Sequence, residues 1–115
     1  MSDTKWHKVF AAVADIPSIK HWILKTIRWD EEQVGYARFD PWPPHAYVDT
    51  AIGPIYLSDI EWIEFPDVGP RRGEPQQDIQ ALRRVLDSIG KFAMEETPRG
   101  LRIIGHVLND HRDKV

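Results

Sequence analysis

HWILKTIRWDEEQVGYARF, residues 21–39, decides the fold. HWILKTIRW is rich in β-branched and aromatic residues, which suit a pleated, half-buried strand better than a helix. DEEQ then reads as a turn and VGYARF as a second strand, so the stretch predicts an antiparallel hairpin. Downstream, AYVDTAI runs into Gly53-Pro54, and IYL reaches Ser58-Asp59 before IEWIEF. Turn residues between short apolar runs extend the hairpin into an antiparallel meander of about four strands.

Helical periodicity appears on either side of this block. Ser2 or Asp3 can cap a first helix whose Trp6, Val9, Phe10 and Val13 follow the i, i+3, i+4, i+7 spacing of one buried stripe, ending near Asp15 ahead of Pro17. A second helix is expected from about Pro75, with Ile79, Leu82, Val85, Leu86 and Ile89 on one face and Gly90 as its stop. PDVGPRRGEP, residues 66–75, holds three prolines and two glycines and is the clearest loop. KFAMEET and LRIIGHVL alternate with period two around Pro98-Arg99-Gly100, which predicts a terminal hairpin. The order lacks the β-α alternation of a parallel sheet. It implies one α+β domain over residues 1–115, with two helices packed on a single antiparallel sheet.

Composition narrows the function classes. The 42% apolar and 29% charged content is that of a globular chain. With no cysteine, disulfides, thiolate metal sites and thiol catalysis are excluded, and a reducing, cytoplasmic compartment is the expectation. No apolar run approaches the ~20 residues of a membrane span. Residues 1–65 carry six Lys/Arg against ten Asp/Glu, a balance of −4, and residues 66–115 carry nine against eight, or +1. That distribution disfavours nucleic acid, whose binders draw most of their affinity from basic contacts to phosphate. Arg71-Arg72 and Arg83-Arg84 read as a solvated face.

Two short motifs carry a resemblance: TKW at residues 4–6, opening a helix, and IEWIEF at residues 60–65, with LRIIGHV closing the chain's final strand. The chain resembles small uncharacterised bacterial proteins that share a T-K-W start and an I-E-W-[IL]-E strand. The resemblance implies an α+β fold and a bacterial cytoplasmic origin, and it transfers no reaction and no catalytic residue.

Motifs of chemistry are missing. The five histidines have no H-E-x-x-H spacing, the serines no G-x-S-x-G context, and the glycines neither G-x-G-x-x-G nor a P-loop. No cofactor, metal or catalytic residue is assigned. Carboxylates cluster around IEWIEF at Asp59, Glu61, Glu64 and Asp67, where alternation gives the strand two mixed faces.

The segment FDPWPPHAYVD, residues 39–49, sets Trp42 between Pro41 and Pro43, which pre-stiffens a loop displaying Trp42, His45 and Tyr47. Stiff aromatic surfaces make efficient binding anchors, although Trp42 folded over a sheet edge is the plainer alternative. The leading expectation is a non-enzymatic protein-binding domain whose surface includes Trp42, His45, Tyr47, Asp49, Asp59 and Glu61. Its specific form is an immunity or antitoxin-like protein plugging a basic toxin site. The rival is a small-ligand binder or acid–base enzyme using Asp49, Asp59 or Glu61 with His45. A homodimer formed along a sheet edge is the third reading.

Overall fold

Helix α1 spans Asp3–Ala14; the Ser2 side chain caps it by accepting from the Lys5 amide at 3.2 Å. The stripe expected from spacing is the stripe that is buried: Trp6, Val9, Phe10 and Val13, joined by Ala12. Trp6 and Phe10, one turn apart, stack with ring centroids 5.8 Å apart. The computed structural model describes residues 1–36, 39–40, 47–50, 52–68 and 76–105.

Strands β1 (His21–Thr26) and β2 (Gln33–Tyr36) form the antiparallel hairpin, with Ile23 opposite Val34. The first strand is shorter than its composition suggests. The chain turns after Thr26, and the Trp29 amide donates back to the Thr26 carbonyl at 3.2 Å while its indole packs, half-buried, against the core.

Three further strands, β3 (Phe39–Asp40), β4 (Tyr47–Thr50) and β5 (Gly53–Tyr56), make a separate antiparallel sheet in the order β3-β4-β5. Gly53, at φ 109°, takes the left-handed backbone that its tight β4–β5 connection requires. Leu57–Asp59 is a 3-10 turn, and β6 (Ile60–Pro66) leaves it in a new direction.

The strands therefore do not run as one continuous meander. β6 lies between β1 and β8 in a five-stranded sheet of order β2-β1-β6-β8-β7, where β7 is Met94–Glu96 and β8 is Gly100–Ile104. All neighbours in it are antiparallel. The physical reason lies in β6 itself: all of its residues but Glu61 are buried, and a strand covered on both faces belongs in the middle of a sheet. The 3-10 turn makes the redirection, since the Asp59 carbonyl accepts from the Ile27 amide at 2.8 Å and ties β6 to the β1 hairpin.

Helix α2 is Ile79–Ile89. Its cap is Asp78, whose carboxylate accepts from the Ala81 amide at 2.9 Å, so the helix opens four residues after the expected Pro75, which lies outside the described residues. Ile79, Leu82 and Leu86 are buried, Val85 is half-buried, and Ile89 reaches solvent. Gly90 ends the helix in an extended conformation.

Both helices pack on one face of the five-stranded sheet, through Trp22 and Leu24 of β1, Ile63 and Phe65 of β6, and Leu101 and Ile103 of β8. Val48 and Ile55 of the smaller sheet join the same cluster. The α+β class and the packing of helices on an antiparallel sheet are those the sequence implies.

Candidate functional site

Because strand side chains alternate, the residues between the core positions line the other face of the five-stranded sheet. Register aligns one row across it: Glu95, Arg102, Glu64, Ile23 and Val34, from β7 to β2. The row begins in charge and ends in exposed hydrocarbon.

Glu64 is its centre and is wholly buried. An isolated buried carboxylate is very costly, so two arginines hold it: Arg102 Nε at 3.1 Å from Oε1 and Arg99 Nε at 2.5 Å from Oε2. The Arg102 guanidinium also lies 3.9 Å from the ring centroid of Trp62, a cation–π contact on an almost buried indole.

Arg99 leaves the β7–β8 turn and serves two carboxylates. Its Nε goes to Glu64, and its Nη1 and Nη2 donate to Glu32 at 2.7 and 3.3 Å in a bidentate pair. The Arg99 hydrogen bond holds the Glu32 carboxyl below its usual range, assisted by the charges of Arg99 and Arg102 and opposed by partial burial. Glu32 in turn pushes Arg99 up, with Glu64 adding to the effect.

Beside this network is a cleft of about 330 Å³, whose lining includes Ile23, Val34, Pro66, Val68, Pro98 and Arg99. Val34 and Val68 are 51% and 57% exposed, unusually open for aliphatic residues flanking a cavity.

Gln77 braces His21 and Pro66, two residues of the cleft's lining. Only 3% exposed, its side-chain oxygen accepts from the Lys20 and His21 amides at 2.5 and 2.7 Å, and its Nε2 donates to the carbonyls of His21 and Pro66 at 3.2 and 2.7 Å. Its backbone amide donates to Asp67 at 2.7 Å, and Val68 bridges to Gln76. One amide side chain thus ties the start of β1 to the end of β6 just before α2.

The candidates named from sequence are dispersed. Trp42 and His45 lie outside the described residues. Tyr47 and Asp49 are in β4 of the smaller sheet, opposite Tyr56 and Pro54. Asp59, in the 3-10 turn, accepts from Arg28 Nε at 2.8 Å, and Glu61, opening β6, meets Lys25 Nζ at 3.4 Å. Neither Asp59 nor Glu61 lines the cleft.

Arg99, Gln77, Val34 and Val68 were missed. The available signal was Glu64: a charge inside a strand buried on both faces requires a cation opposite, and PRGLR supplies two, at Arg99 and Arg102. Gln77 had no signal, since an amide before a helix reads as solvent-facing.

Among the described residues no cluster of three or more His, Asp or Glu is placed to hold a metal, and no helix is long and apolar enough to cross a membrane. Comparison with known proteins finds no matching family model, no matching curated protein and no matching solved structure.

Proposed function

We propose that the chain is a non-catalytic protein-binding domain whose docking surface is the cleft beside Arg99, on the sheet face opposite the helices. The observation that carries the reading is the pair Val34 and Val68, more than half exposed on either side of an apolar cavity. Exposed hydrocarbon around a concavity is typical of surfaces that bury on association. The test places a photo-crosslinking residue at position 68 in cells. A discrete adduct that Val34→Asp abolishes, with the variant's melting temperature retained, supports the reading; no adduct, or one indifferent to Val34→Asp, sinks it.

Immunity or antitoxin-like action, with acidic groups plugging a basic toxin site, is the narrower form of this proposal. Its support is the acidic balance of residues 1–65. Asp59 and Glu61 contribute little to it, because each is already matched by a cation of its own chain. A bacterial cytoplasmic setting and kinship with the T-K-W and I-E-W-[IL]-E proteins belong to the same proposal.

The cleft volume favours one second reading. About 330 Å³ falls at the low end of small-ligand cavities, roughly 300–1,000 Å³, which fits a small apolar acid paired with Arg99. Thermal shift against a panel of metabolites separates the two: saturable stabilisation by a small acid, without any protein adduct, selects the ligand.

A further inference from the structure

We propose that the cleft receives the C-terminal residue of a partner polypeptide: its apolar side chain enters between Ile23, Val34 and Val68, its free α-carboxylate takes the place of Glu32 on Arg99, and the residues before it run along β2. This rests on the protein-binding reading above and supplies the partner's chemistry.

The two carboxylates on Arg99 are unequal. Glu64 is fully buried and fixes Nε, so the guanidinium is oriented from behind. Glu32 is 40% exposed, belongs to the turn before β2, and occupies the two terminal nitrogens. It is a carboxylate on a carboxylate-shaped site, and it can leave for water. Exchanging it for an incoming α-carboxylate keeps Arg99 paired before and after, and no buried charge is stranded.

The apolar part of the cleft sets the other half of the ligand. A C-terminal residue carries its carboxylate and its side chain on one Cα, which matches a guanidinium standing beside a hydrocarbon cavity. An internal Asp or Glu instead places its acid at the end of the side chain, where the cleft is walled mainly by Ile23, Val34, Pro66, Val68 and Pro98, with His21 and the acid Asp67 also in its lining. A chain terminus therefore suits both features at once.

The approach path is the β2 edge. β2 is the outermost strand on its side of the five-stranded sheet, and among the described residues no strand pairs with its outer edge. Gln33–Tyr36 contains no charged residue, whereas β7, at the opposite edge, exposes Glu95 and Glu96. Charged edges repel an incoming strand, so of the two edges β2 is the receptive one. Strand addition supplies main-chain hydrogen bonds while the side-chain pocket supplies selectivity.

The test uses the full chain and short fluorescein-labelled peptides of mixed sequence ending in Leu, Val, Ile or Phe, prepared both as free acids and as C-terminal amides. Fluorescence anisotropy reads binding, and amide chemical shifts of Ile23, Val34 and Gly35 read location. The expected result is saturable binding of the acids at those residues, with the amides about tenfold weaker or more, the loss of a charge-assisted hydrogen bond. Arg99→Gln abolishes the difference between acid and amide. Glu32→Gln, on an exposed turn and leaving Arg99 and Arg102 on the buried Glu64, tightens acid binding severalfold, so the proposal stays testable if Arg99→Gln fails to fold.

Equal binding of acids and amides overturns the proposal, as does no binding of either, or Glu32→Gln that leaves acid binding unchanged or weaker. Binding of 4-methylpentanoate as tight as that of the peptides also overturns it, in favour of a small acid. If the position-68 adduct persists while acids and amides behave alike, protein binding stands and terminal recognition falls. Loss of the adduct itself is the failure of the broader reading.

Discussion

Glu64 concentrates the electrostatics of the molecule on one side chain. Its carboxylate stays buried because Arg99 and Arg102 both reach it. Glu64→Gln removes the charge and leaves two partly exposed arginines to find water, so it is expected to cost roughly 2–3 kcal/mol, below the 3–5 kcal/mol typical when the stranded partner is itself buried. Urea denaturation measures it. Glu32 gives a pH-dependent counterpart. Its carboxyl titrates below the ordinary value of 4.5 in the folded chain, because Arg99 bonds the ionised form. Stability from this pair is full above that ordinary value and is lost as pH falls through the lower folded value. The expected effect is a deficit of about 0.5 kcal/mol for Glu32→Gln at neutral pH, small because the pair is exposed, that vanishes in acid; thermal melts of both proteins from pH 7 to 3 check it. At this scale the sequence disclosed the acids around IEWIEF but not the partners of Glu64, which come from the β7–β8 turn and from β8, 35 and 38 residues further on.

At the scale of elements, local pattern was legible and long-range pairing was not. The α1 stripe, the β1–β2 hairpin and the terminal β7–β8 hairpin follow from periodicity and turn residues, because their contacts are close in sequence. The placement of β6 beside β1 depends on the Leu57–Asp59 turn and on burial of both strand faces, and neither is a local signal. Gln77 belongs to the same class: its contacts lie 11, 56 and 57 residues away. Gln77→Ala leaves the amide of His21 and the carbonyl of Pro66 without this partner in a buried place. A loss of roughly 2–4 kcal/mol is expected, with hydrogen exchange of the His21 amide rising more than that of α2 amides; unchanged exchange at His21 would contradict the clamp.

For the whole molecule, the consequential fact is that two sheets share one core. Val48 and Ile55 of the smaller sheet sit in the same cluster as Trp6, Phe65 and Leu82. Ile55→Ala is therefore expected to lower global stability by roughly 2–4 kcal/mol, with far-UV and near-UV signals still melting together. Early loss of the smaller sheet alone, seen as two separate transitions, would show the cluster to be divisible. The α+β class was readable because helical and strand periods occupy different parts of the chain; the division into two sheets was not, because β5 and β6 adjoin in sequence and part only at a three-residue turn.

The closure made by Val68 with Gln76 and by Asp67 with Gln77 has an engineering corollary. The described residues on either side of positions 69–75 are joined directly, so the end of β6 and the approach to α2 are held together by contacts of their own. Where the two ends of a connection are already tied, each doubling of a flexible loop's length costs only about 0.6 kcal/mol. An epitope tag or a foreign peptide inserted between positions 68 and 76 is therefore expected to leave the tie between β6 and the approach to α2 in place.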